Sequence, residues 1–157
     1  MEIGIILNFK GCKMTIKRWI ILSSMALIIL ISFVYYKQTH LSIWGFNLSK
    51  KDIKDVIVLT EKHSYIVIDE DMVSKISEDI SKMKRYSKIE SFPPQNTKPV
   101  RYKKILIRTK GDTNYGGSIW VMENNAVLDS NGYYWDLDYN DLSNTLNVAL
   151  ENANLLN

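Results

Sequence analysis

Residues 19–36 read WIILSSMALIILISFVYY, with Lys17 and Arg18 immediately before them. No charge interrupts the run. As an α-helix rising about 1.5 Å per residue it spans roughly 27 Å, close to the hydrocarbon thickness of a bilayer. Its only polar members, Ser23, Ser24 and Ser32, can return their hydroxyls to helix carbonyls. Trp19 at one end and Tyr35 and Tyr36 at the other suit the two interfacial belts. A soluble core helix normally carries a polar face, and this run has none. The reading is a transmembrane signal-anchor over 19–36 that seats Trp19–Tyr36 in a lipid bilayer.

Outward on the N-terminal side, Lys10, Lys13, Lys17 and Arg18 face one acid, Glu2. The positive-inside rule makes residues 1–18 a cytoplasmic tail and sends Lys37–Asn157 outside the cell membrane. A cleaved signal peptide is the rival reading. The apolar run is long for one, and no A-x-A-like site follows it, so an uncleaved anchor is expected. Cys12, the single cysteine, precedes the run, which argues against a lipoprotein. Met14 offers a second start, with Lys17-Arg18 as a compact basic flank.

On the C-terminal side, residues 37–51 read as a juxtamembrane linker. Its Ile43, Trp44 and Phe46 either rest at the membrane interface or enter the domain as a first strand. Residues 52–157 are enough for one extracytoplasmic domain and one modest core. No cysteine lies in that part, so packing alone must stabilise it. Asn47-Leu48-Ser49 matches a glycosylation sequon, a triplet too common to carry weight.

Within the domain, Asp55–Thr60 and Ser64–Ile68 read as strands joined at Glu61-Lys62-His63. Asp69 is a helix N-cap, with Glu70 and Asp71 near the positive end of the dipole. Met72, Val73, Ile76, Ile80 and Met83 then mark one buried helix face. Lys82, Lys84 and Arg85 gather at the helix end, and Glu78 to Lys82 is an i,i+4 pair. Ser87–Val100, with Pro93, Pro94 and Pro99, reads as an extended loop. Tyr102–Thr109, Tyr115–Met122, Ala126–Asp129 and Tyr133–Leu137 read as strands. Gly116-Gly117 signals a bulge in the second, and Asn131-Gly132 a tight hairpin between the last two. Asp138 caps a final helix, with Asp141 in capping-box position, whose stripe is Leu142, Leu146, Ala149, Leu150, Ala153 and Leu156. The expected fold class is α+β: a transmembrane helix, then a largely antiparallel ββαββββα domain with two helices on one face.

The net charge of +3 hides a sharper division. Lys82 to Lys110 holds ten Lys or Arg against Glu90 alone, and Gly111 to Asn157 holds seven acids and no Lys or Arg. A basic strand face is expected at Lys104, Arg108 and Lys110, with Lys82 and Arg85 nearby. Its partner would be anionic: a lipid headgroup, a wall polymer or an acidic protein. Nucleic acid is excluded by the expected location.

No pattern points to catalysis. His40 falls in the linker and His63 in a turn, and no nucleophile elbow occurs. Asp69-Glu70-Asp71 and Asp136-x-Asp138 stand where helices begin, so capping accounts for them without a metal. Asp112-Thr113-Asn114 lacks the later glutamate of a calcium loop, and Gly116-Gly117 lacks the lysine of a phosphate loop. No cofactor or metal is expected. Tyr115, Tyr133 and Trp135 offer an aromatic binding surface. The simpler account has alternate aromatics, such as Trp120 and Tyr134, filling a small core.

The helix Met72–Met83, the strand Lys103–Arg108, Ser118-Ile119-Trp120-Val121, Gly132-Tyr133-Tyr134-Trp135 and the leucine-rich last helix together resemble a known pattern. It is that of small extracytoplasmic domains of unknown function, anchored or lipoprotein, from Gram-positive Firmicutes. The resemblance implies location and architecture, and no activity. The expected function is a non-enzymatic, membrane-anchored binding module. The alternative is an immunity-type protein that intercepts a secreted toxin or enzyme at the cell surface.

Overall fold

The structure, a computed structural model, describes residues 8–9, 12–13, 16–90 and 93–156. Glu2, Lys10 and Met14, which bear on orientation and on the second start, lie outside the described residues. Asn8–Phe9 (β1) and Cys12–Lys13 (β2) pair antiparallel. Ile16–Thr39 (α1) is a helix of 24 residues, none of them buried. It is long and apolar enough to cross a membrane. Ser23 and Ser24 donate their hydroxyls to the Ile20 carbonyl at 3.0 and 2.8 Å, so these two hydroxyls are satisfied within the helix. A compact unit ends at Thr39, and a second runs from His40 to Asn157.

The second unit begins with a hairpin, His40–Ile43 (β3) and Phe46–Ser49 (β4), and a 3-10 turn at Lys50–Asp52. Then come Ile53–Thr60 (β5), Ser64–Val67 (β6), Glu70–Ser81 (α2) and Lys84–Lys88 (β7). Tyr102–Thr109 (β8), Asn114–Val121 (β9), Ala126–Ser130 (β10), Tyr133–Leu137 (β11), Tyr139–Leu150 (α3) and Asn154–Leu156 (β12) complete it. Eight strands form one sheet in the order β12-β6-β5-β8-β9-β10-β11-β7, and every neighbouring pair is antiparallel. The fold is α+β.

Local chemistry accounts for both domain helices. Asp69 accepts from the Met72 amide at 2.9 Å and starts α2. Asp138 accepts from the amides of Asn140 and Asp141 and starts α3. Val73, Ile76 and Ile80 from α2 join Leu142, Leu146 and Ala149 from α3 in one core with Val56, Val58, Val67, Ile105 and Ile107. Both helices therefore cover the same face of the sheet. The Thr145 hydroxyl donates to Asp79 at 2.9 Å and ties them together. Each Val, Leu or Ile side chain among them contributes about 1.5–3 kcal/mol on burial.

Three elements differ from the sequence reading. The expected linker over 37–51 is mostly the β3–β4 hairpin, and Ile43, Trp44 and Leu48 are buried in the core. Trp44 and Gly45 have φ of +49° and +81°, the signature of a two-residue primed turn. That tip meets the Asn131-Gly132 turn, where Asn131 donates to the Trp44 carbonyl at 3.2 Å. The start of the expected loop over Ser87–Val100, with Lys84 and Arg85, is strand β7 along the otherwise open edge of β11. The last helix stops at Leu150, and Leu156 lies in β12 beside β6. Asn152 and Asn154 are poor helix formers, and Asn154 pairs with Ile66 at the edge of β6.

Two smaller expectations also change. Lys82 pairs with Asp79 at 2.8 Å, while Glu78 pairs with Lys50 at 3.0 Å, so the Glu78–Lys82 pair does not form. Gly116-Gly117 makes no bulge, because β8 and β9 stay in register through both. A side chain on Gly117 would collide with the Asp129 carbonyl, and one on Gly116 with that of Ile105. The glycines allow close backbone approach where β9 passes from β8 to β10.

Candidate functional site

The residues expected to form a basic face are distributed among four places. Lys104 and Arg108 do share the face of β8 opposite Ile105 and Ile107. Arg108 is bound to Asp55 on β5, donating from Nε at 2.6 Å and from Nη2 at 2.7 Å. Asp55 is 2% exposed, so this fork supplies the charge its carboxylate needs in the interior. The same bond holds the guanidinium proton more tightly than usual. Lys82 is engaged with Asp79, whose hydrogen bond raises its pKa. Arg85, on β7, stacks over Tyr133 at 4.1 Å and Trp135 at 5.6 Å.

The aromatic surface does not assemble either. Trp135 is 7% exposed, belongs to the core and donates its indole proton to the Ser130 carbonyl at 3.0 Å. Tyr115 packs on Phe46, with ring centroids 4.8 Å apart. Tyr133 lies beneath Arg85. Tyr134 is buried on the opposite face of the sheet from Trp135, and burial raises its pKa. Trp120 is half-buried and donates to Asp129 at 2.8 Å. His63 stays in its turn, edge-on to Tyr65.

Lys82 borders a small concavity with Asp79, Asp136, Asp138 and Asp141, whereas Lys110 leads to a lysine-lined one. Lys110 lines a cavity of about 510 Å³ with Lys50, Lys51 and Lys54. The 3-10 turn after β4 supplies Lys50 and Lys51, and the first residues of β5 supply Lys54. Lys110 follows β8, and its amide donates to the Asp52 carbonyl at 2.8 Å, which brings it to the same place. α2 forms one wall with Glu70, Val73, Ser74 and Ser77, a stripe at i, i+3, i+4 and i+7. Leu41, Ile53 and Ile68 add apolar lining.

Two properties distinguish this cavity. Lys50 is engaged with Glu78, but Lys51, Lys54 and Lys110 have no carboxylate partner among the described residues. Ser77 is 0% exposed, and its Oγ has no hydrogen-bond partner among the described residues. An unpaired buried hydroxyl costs about 1–3 kcal/mol. Ser81, on the same helix, bonds back to a backbone carbonyl, so the geometry of a helix does not force Ser77 to go without. The sequence signal for this site was Lys50-Lys51-x-x-Lys54, a basic cluster outside the Lys82–Lys110 stretch that dominates the charge count.

Among the described residues, no three His, Cys, Asp or Glu side chains gather as a metal site would require. No protein family, curated protein or solved structure matches this chain.

Proposed function

We propose that this protein is a single-pass membrane protein whose domain His40–Asn157 stands outside the cell and binds an anionic partner without catalysing a reaction. The observation that carries the reading is α1, an apolar helix with no buried residue, joined directly to a compact unit with its own core. An apolar helix with no polar face and no protein cover belongs in lipid. Lys17 and Arg18 before the span support a cytoplasmic N-terminus. The unpaired lysines of the domain support an anionic partner. The likeness to small extracytoplasmic domains of Gram-positive Firmicutes is one of residue pattern and agrees with this placement.

The test is protease accessibility. In intact protoplasts, added protease should degrade the domain while α1 stays with the membrane through alkaline extraction. A domain that survives until the membrane is breached would overturn the topology.

A second reading, interception of a secreted toxin or enzyme, is favoured by β7. All five of its residues are exposed, Lys84, Arg85 and Lys88 among them, and it is the last strand of the sheet. An extended acidic segment could add there as another strand. A toxin gene adjacent to this one would strengthen that reading, and an isolated gene would weaken it.

A further inference from the structure

We infer that β12 is a dimerisation edge, along which a second copy of this chain adds its own β12 antiparallel across a two-fold axis. None of the lysines invoked for an anionic partner takes part. The eight-stranded sheet has two edges, β12 and β7, and they are built differently. β7 carries Lys84, Arg85 and Lys88 among its five exposed residues, and a register shift interrupts its pairing with β11. Charge and irregularity are the usual means by which an edge refuses another strand. β12 has neither. Asn154, Leu155 and Leu156 are uncharged and exposed, and they pair with Ile66, Tyr65 and Ser64 of β6 without a shift. A strand directs alternate backbone N–H and C=O groups to its two sides, so β12 presents unpaired groups outward.

Exposed apolar area gathers at the same edge. Among the described residues after α1, the large hydrophobic side chains left exposed are Ile68, Tyr86, Val148, Leu155 and Leu156. Leu155 and Leu156, 57% and 39% exposed, lie on β12 itself. Ile68 and Val148 line one shallow hollow with Asn152, two residues before β12, and with Asp69 and Asp71. Tyr86 alone of the five is elsewhere, on β7. Scattered apolar residues need no explanation, but a group beside an open strand edge marks a contact surface.

The chemistry of the edge selects its occupant. A neutral strand rich in leucine takes a neutral strand in turn, since a charged one would lose hydration with no counter-charge to replace it. β7 of another copy is therefore unsuitable, because Lys84, Arg85 and Lys88 would come against leucines. The other edge of the second copy is β12, and β12 on β12 closes about a two-fold axis instead of propagating as a filament. Pairing all three residues sets Leu155 opposite Leu155 of the second copy, and Asn154 opposite Leu156. Three residues add few hydrogen bonds, so the leucines must supply most of the attraction. Chains anchored through α1 in one membrane meet in two dimensions, which raises their effective concentration.

The experiment uses the full chain in phosphatidylcholine liposomes, with Cys12→Ser removing the native thiol. Residues directly opposite in an antiparallel pair have Cα atoms about 4.5–5.5 Å apart, within disulfide reach. On mild oxidation Leu155→Cys should give a cross-linked dimer. Asn154→Cys and Leu156→Cys should each cross-link poorly alone and well when mixed, because the axis sets one opposite the other. Tyr86→Cys, on β7, is the control and should stay monomeric. Leu155→Lys, at an exposed position, should weaken self-association in detergent micelles at least about tenfold by sedimentation, because like charges then face each other across the axis. Cross-linking at 155 no stronger than at 86 overturns the interface. Association that Leu155→Lys leaves unchanged belongs to α1 and overturns it as well. A cross-link from Leu155→Cys to a protein of different mass in intact cells overturns the second copy as occupant. None of these outcomes moves the protease-accessibility result, so the topology stands or falls separately.

Discussion

Arg108 and Lys110 stand two residues apart at the end of β8, and the domain treats their charges in opposite ways. Arg108 is spent inside the fold, its fork closed on a carboxylate that is 2% exposed. Lys110 reaches a cavity where other lysines wait without carboxylates. The fold uses arginine where two parallel hydrogen bonds must be held in a fixed plane, and leaves lysine where a charge must stay hydrated and mobile. Net charge counts both alike. Only pairing tells a cation that supports structure from one that is available to a ligand.

Substitutions can break that contrast. Arg108→Ala strands the Asp55 carboxylate and should lower unfolding free energy by roughly 2–4 kcal/mol in a urea titration. That is somewhat below the fully buried limit, because the Arg108 side chain keeps 30% of its surface in water. A loss under about 1 kcal/mol would show that Asp55 finds other support.

Tyr102 extends the contrast to a neutral group the fold consumes. It is 1% exposed and donates to Asn147. Burial raises its pKa above the ordinary 10.0, and neighbouring Arg101 opposes part of that rise. The folded value lies above the unfolded one, so the stability contributed by the neutral phenol is fully present below pH 10 and is lost as pH climbs through the folded value. Tyr102→Phe should cost about 1 kcal/mol at neutral pH and make the fall in melting temperature above pH 10 shallower than in the wild type. Parallel alkaline limbs would assign the effect elsewhere, Tyr134 first.

Arg85 is intermediate, since its partners are rings and β7 is exposed. Arg85→Ala should cost roughly 0.5–1 kcal/mol, measured by denaturant melts. The smallest effect belongs to Lys51, Lys54 and Lys110. Replacing each by Ala should move stability by no more than about 0.5 kcal/mol without ligand. If any of them costs as much as Arg108, the division between spent and available cations fails.

Much of the fold was legible where the signal is local. The Asp69 and Asp138 caps, the stripes at Val73-Ile76-Ile80 and Leu142-Leu146-Ala149, the alternation along Tyr102–Thr109 and the Asn131-Gly132 turn each follow from residues within a few positions of one another. β7 and β12 were not legible. Lys84–Lys88 and Asn154–Leu156 have weak strand patterns and are strands because β11 and β6 present open edges to them. The β3–β4 hairpin was ambiguous for a related reason. Ile43 and Trp44 suit a membrane interface as well as a core, and the contact with Asn131 decides between them.

The site shows the same limit. Three of its lysines lie close in sequence at Lys50, Lys51 and Lys54, but Lys110 and Ser77 join them only through the β5–β8 pairing and the packing of α2. By itself the sequence determined an apolar span, an α+β domain, its helix caps and its helical core positions, because hydrophobic periodicity and capping act over one or two turns of chain. Tertiary structure alone decided which charges were neutralised and which were left facing one cavity, because ion pairing depends on distances across the sheet that no local pattern encodes.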